Sequence, residues 1–228
     1  MFRKGLFFIG FAMLVLASGC ASSGKISQSK IPVERVAVVA FAVNSYGPFG
    51  VKQIPDALIK DQVTSMLKHT EDELAKHWSV VPAKSFVDSS EYQKLSIGQL
   101  KSGLVGPIFE NGALLSFSNS RRDVIKGVLD PQIAKGLCNQ LGVDAVMLVY
   151  SEWTVNTGKF IPTQKALTKN CFAMYDRAGN RLFFDRKDVA GEGFIGGMFA
   201  GTHINEATIE KWVAAYNQAA GQVITNHK

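Results

Sequence analysis

The sequence predicts one α/β domain, a mixed β-sheet flanked by helices. Three observations predict it. Val33 to Val43 and Ala145 to Tyr150 are almost continuously apolar and rich in Val, the pattern of strands buried on both faces. Amphipathic helical segments alternate with these runs. A turn of Asp, Arg, Ala, Gly and Asn at 176–180 separates two further β-rich runs, as in a hairpin.

The elements follow in order. Val33 to Val43 is the first strand, and Asn44 to Gly50 is a loop by its Gly and Pro content. Pro55 suits a first helical turn. Beyond it Ile59, Val63, Met66, Leu67, Leu74 and Trp78 recur at helical spacing, so a helix runs over roughly 55–77. Trp78 to Pro82 is a short strand, completing a βαβ unit. Residues 84–127 read as short helices at Phe86–Leu95 and Ile97–Leu104 with loops between. Asp130 is an N-cap, Pro131 a first-turn residue and Gly142 a C-terminal stop, so they bound a helix with Ile133, Ala134, Leu137, Cys138 and Leu141 on one face. The next strand runs from Ala145 to about Val155. A polar loop spans 156–165, and Ala166–Tyr175 and Arg181–Val189 form the hairpin. Asn205 caps a last helix that buries Ile209, Trp212, Val213, Tyr216, Ala220 and Val223.

The N-terminus reads differently. Arg3 and Lys4 precede an apolar run of eleven residues, Leu6 to Leu16, and then Ala17, Ser18 and Gly19. A positive start, an apolar run of ~7–15 residues and small residues before a cut define an export signal. The run is too short for a membrane span, which needs about 20 residues. Leu16-Ala17-Ser18-Gly19-Cys20 resembles the lipobox of bacterial lipoproteins, with Leu16 one place earlier than usual. The resemblance implies cleavage between Gly19 and Cys20 and a lipid on the Cys20 thiol. Ala21, where an aspartate would retain the protein at the inner membrane, points to an outer-membrane anchor facing the periplasm. Residues 1–19 are then the signal, 20–30 a small polar tether, and 31–228 one periplasmic domain.

Composition narrows the function. The chain has 228 residues, 46% of them hydrophobic, ample for a core. Its charge of +6 includes Arg3 and Lys4 and is otherwise scattered. Export removes nucleic acid as a partner. With Cys20 assigned to lipid, Cys138 and Cys171 remain. They read either as a disulfide, which the exported location permits, or as two buried thiols.

The chemistry-bearing patterns are weak. Gly191-Glu-Gly193-Phe-Ile-Gly196 matches the dinucleotide fingerprint literally, but only one helix follows and no second strand. No cofactor is expected. His69, His77, His203 and His227 form no metal-ligand pattern. Asp144, Asp176 and Asp185 lie near strand ends, where both catalytic acids and structural caps occur. No nucleophile–base signature accompanies them, so an enzyme is not expected. Phe194, Ile195, Met198 and Phe199 stand among Gly191, Gly193, Gly196, Gly197 and Gly201. Exposed, they make an adhesive contact for a partner or ligand; packed, they close the core beside the last helix. The packed arrangement is expected.

Leu141-Gly-Val-Asp-Ala-Val146 at a helix–strand junction and Asp176-Arg-Ala-Gly179 at the hairpin turn resemble periplasmic lipoprotein domains of the TolB amino-terminal fold. That group includes the curli-secretion lipoproteins and the lipoprotein activators of penicillin-binding proteins. The likeness spans roughly 33–224. It implies a TolB N-terminal-like sheet and a non-enzymatic module that meets an envelope protein in assembly, secretion or cell-wall regulation. The added amphipathic hairpins of the curli pore are not evident. A small apolar or glycan ligand in a cleft near 191–202 is the alternative.

Overall fold

The computed structural model describes residues 32–44, 56–95, 104–105, 108–109, 112–114, 116–118, 120–159, 161, 163–197, 201–202 and 205–228. The signal, Cys20 and the tether lie outside them, as do Met198, Phe199 and His203.

The strands are β1 (Arg35–Asn44), β2 (Ser79–Val81), β3 (Leu104–Val105), β4 (Ile108–Phe109), β5 (Gly112–Ala113), β6 (Ala145–Thr157), β7 (Thr163–Asp176), β8 (Arg181–Ala190), β9 (Gly196–Gly197) and β10 (Gly201–Thr202). The helices are α1 (Asp56–Ala75), α2 (Ser90–Leu95), α3 (Arg121–Ile125), α4 (Pro131–Leu141) and α5 (Glu206–Asn226). The main sheet runs β10-β9-β7-β6-β1-β2, with β8 also paired to β7 and β3 to β1. β1 pairs parallel to β2 and β6, while β6, β7 and β8 are antiparallel. This is a mixed sheet flanked by helices, with one main core drawn from Val33 to Ile224.

Burial explains the order. β1 lies between β2 and β6 and is buried along nearly its whole length, which is why its sequence does not alternate. On one face Phe41 and Phe172 meet Tyr216 of α5, at ring-centroid distances of 5.6 and 6.0 Å. On the other, the Tyr175 hydroxyl donates to Gly127 O and accepts from Leu129 N–H, beside the start of α4. Facing pairs alternate along the β6–β7 ladder, so the helices cover both faces.

Several boundaries differ from expectation. The β6–β7 hairpin is longer: Asn156, Thr157, Gln164 and Lys165 are paired, not looped. Asn156 and Thr157 are exposed and Gln164 and Lys165 half-buried, so they carry no apolar alternation. The helix expected over 86–95 is confined to α2, with a turn at 86–88 before it and a 3-10 turn at Ala83–Ser85 before that. Leu104, placed at the end of a helix, begins β3. Cys138 and Cys171 are not bridged. Both are free and buried, Cys138 in the main core and Cys171 in a separate cluster with Ala42 and Tyr150.

Candidate functional site

The carboxylates expected near strand ends hold the fold. Asp144 Oδ2 accepts the backbone N–H groups of Glu34 and Arg35, each at 2.9 Å. Its Oδ1 pairs with the Arg177 guanidinium, and Arg177 N–H donates to Asp144 O at 2.9 Å. Asp176 Oδ1 accepts from Ala178 N–H and Asn180 N–H at 2.9 and 2.8 Å, the geometry of an Asx turn. Gly179 closes that turn at φ +82°, against Pro131 of α4. The two short motifs at 141–146 and 176–179 therefore form one joint, where α4, β6, the β7–β8 turn and the start of β1 meet. Asp185, expected near a strand end, instead lies midway along β8 opposite Phe172, because the strand runs on to Ala190; it is 3.3 Å from His227 Nε2, and the His227 ring stacks on Phe183 at 4.1 Å. Among the described residues, each of these three carboxylates is taken up by backbone N–H groups or by a neighbouring side chain.

The described histidines, His69, His77 and His227, each have a different neighbour. His69 is 3.6 Å from Glu73, and His77 packs edge-on to Trp78. Among the described residues no group of three or more His, Cys, Asp or Glu is placed to hold a metal ion. Burial pushes the Cys138 and Cys171 thiols up to about 11, the opposite of nucleophile activation. Burial also raises Tyr150, where Arg121 and Asn44 oppose the shift.

The opposite end of the sheet, remote from Asp144, is different in kind. β6 and β7 turn there between Thr157 and Thr163, and β9 pairs with the start of β7. Ile161 is 71% exposed and Phe194 58% exposed. Ile195, the next residue, is turned inward and 2% exposed, with its N–H on Gln164 O at 2.8 Å. Lys211 Nζ donates to Phe194 O at 2.8 Å, and Lys165 Nζ sits 5.5 Å from the Phe194 ring centroid. The Phe194 ring is thus held outward by bonds on its own backbone and by the buried Ile195. The expectation that the segment packs is right for Ile195 and wrong for Phe194. Met198 and Phe199 fall outside the described residues.

Beside Phe194, where the chain leaves β8 and crosses α5, lies an open groove of about 410 Å³. Gly191, Ala207, Ala214 and Ala215 line it with small surfaces, and Glu192, Glu210, Lys211 and Gln218 supply polar groups. Gly191 allows the crossing, because a Cβ there would lie 2.8 Å from Lys211 O. The groove is not the enclosed apolar pocket typical of small-ligand sites. Sequence reading missed Ile161, Lys165 and Lys211. The available signal was Phe160-Ile161, an apolar pair inside an otherwise polar loop.

No family model matches the chain, and no curated protein matches it. Solved structures resemble it distantly. A lipoprotein of Neisseria meningitidis is 13% identical, with a TM-score of 0.35 over 86% of this chain and 99% of that one. A hypothetical protein of Chlamydia trachomatis is 9% identical, with a TM-score of 0.39 over 86% and 95%. A homologue of the neuraminyllactose-binding hemagglutinin from Helicobacter pylori is 14% identical, with a TM-score of 0.34 over 85% and 82%. At these values no functional argument rests on the likenesses.

Proposed function

We propose that the chain is a lipid-anchored envelope protein, held at the outer membrane through Cys20 and facing the periplasm. Its domain acts by docking, without catalysis, in envelope assembly, secretion or cell-wall regulation. One contrast supports this reading. Asp144, Asp176 and Asp185 are taken up in backbone and side-chain contacts, while Ile161 and Phe194 are held exposed at the free end of the sheet. An exposed apolar group beside an open groove suits contact with another surface. An envelope protein is the partner expected along α5.

The test is photo-crosslinking in cells that make the lipidated chain. Benzoylphenylalanine at Ile161, Phe194 or Gln218 should give defined adducts, and the same group at exposed Lys84 should not. Labelling no stronger than at Lys84 overturns the docking reading. The anchor is tested separately: Cys20→Ser should leave the precursor uncleaved, and normal cleavage of that variant would remove the lipid from the account.

The groove beside α5 favours a second reading, a glycan laid along Glu192, Glu210 and Gln218. Soluble oligosaccharides should then shift the backbone amide signals of Glu192 and Gln218 while leaving those of β1 unmoved. Unshifted signals remove this reading.

A further inference from the structure

The chemistry of the free end narrows what it touches, granted that this end is a contact surface. We infer that Ile161 and Phe194, with Lys159, Lys165 and Lys211 behind them, form a tip that seats on an anionic lipid bilayer.

The side chains fit that role. Both apolar groups project from turns at the tip of the sheet. A convex tip needs no complementary pocket in a partner; a planar interface accepts it. Phe is a residue of choice for shallow burial among headgroups and acyl chains. Lysines whose stems lie along apolar surface keep their ammonium groups at headgroup level. Lys165 and Lys211 are already placed so, one over the Phe194 ring and one on its carbonyl. Lys159 is exposed beside the same turn. Lys211 lines the α5 groove together with Glu192 and Glu210, so the preference for anionic lipid is carried by Lys159 and Lys165.

The rigidity of the loop matters as much as its composition. Ile195 is buried and its N–H is bonded to β7, so Phe194 is presented outward without the ordering cost that a floppy loop would meet on insertion.

Topology sets the distances. The 13 residues of β6 separate the tip from the Asp144 end, where the chain enters β1. At ~3.3 Å per residue that is about 40 Å. Residues 20–31 can span at most ~40 Å when extended. A lipid at Cys20 and a seated tip can therefore hold the same bilayer at once, with the tether spanning the length of the sheet. Attachment at Cys20 also raises the effective concentration of a weak second contact.

The experiment uses the chain from residue 20 with Cys20→Ser, which retains the whole described core and carries no lipid. Sedimentation with vesicles of phosphatidylcholine and phosphatidylglycerol should pull it down, and vesicles of phosphatidylcholine alone should do so less. Ile161→Ser with Phe194→Ser should weaken binding about tenfold or more, a difference of one decade in affinity. Lys159→Glu with Lys165→Glu should remove the preference for anionic vesicles, as should high salt. Phe194→Trp should still bind and should shift its emission to the blue on vesicle addition. Thermal midpoints of all variants check that the fold persists. No binding to either vesicle, or binding unchanged by the double Ser variant, overturns the inference. Equal binding to both vesicle types overturns its anionic part. A protein adduct at Phe194 in cells, with no vesicle binding, overturns it and leaves the docking function standing.

Discussion

Asp144 holds the start of the first strand through Arg35. Its Oδ2 accepts Arg35 N–H at 2.9 Å, and Asp144 N–H donates to Arg35 O at 2.7 Å. The contact ties the β1–β6 parallel pair at the point where the chain enters the domain. The Asp144 side chain is 14% exposed and also pairs with Arg177. Removing it gives up two backbone N–H bonds to a charged acceptor and the Arg177 contact. Asp144→Ala should therefore cost about 1–3 kcal/mol. Asp144→Asn, which keeps an acceptor, should cost less. Urea unfolding of the two variants gives the comparison, and a loss below about 0.5 kcal/mol for the alanine would show the contact to be dispensable.

Gly179 is the other half of that joint. An added Cβ would stand 2.6 Å from Pro131 O, at a positive φ that side chains avoid. Gly179→Ala should destabilise by about 1–3 kcal/mol through backbone strain and displacement of α4. Because α4 and the turn would shift together, amide exchange should quicken at both Ile133 and Asn180. A stability change confined within ~0.5 kcal/mol would contradict the close approach.

Local rules were legible where local bonds decide the structure. Asp130 accepts from Gln132 and Ile133 N–H, Gly142 takes φ +61°, and Asn205 forms a capping box with Thr208, all at positions the sequence marks. The buried face of α5 was equally plain, because a helix packed on one side shows its period. The hairpin end was not legible. Past Ser151 the β6–β7 ladder carries polar pairs such as Glu152 with Lys169, held by backbone pairing and an ion pair. Nor does sequence show that Ser151, Asn170 and Thr168 form a hydrogen-bonded chain within the core, since each reads as a surface residue. The candidate site was half visible. Phe194 was singled out, but its exposure depends on Lys165, Lys211 and Gln164, which are distant in sequence.

The two internal thiols should be silent in the folded protein. Burial raises both to about 11, which leaves ~1000-fold less thiolate than thiol at pH 8. Maleimide labelling at pH 8 should spare Cys138 and Cys171 until denaturant is added, and then reach both. The mass of the oxidised and reduced protein should agree apart from Cys20 chemistry. A Cys138–Cys171 linked peptide after digestion would reverse the assignment of free thiols.

Glu71 should give the fold an acid-side preference. It is partly buried beside the turn after β2, and burial raises its pKa above the usual 4.5; the Ala83 N–H bond opposes this but is the smaller influence. The folded chain thus holds the proton more tightly than the unfolded chain. Its contribution is most favourable below pH 4.5, declines as pH rises through the unfolded and then the raised folded pKa, and is level beyond. Glu71→Gln can still accept from Ala83 N–H but cannot ionise. The difference in urea midpoint between Glu71→Gln and the parent chain should grow in favour of glutamine from pH 4 to pH 7. Solvent reaches part of the group, so the effect should be modest. A difference that shrinks or reverses over that range would mean that the Ala83 bond, and not burial, governs the carboxyl.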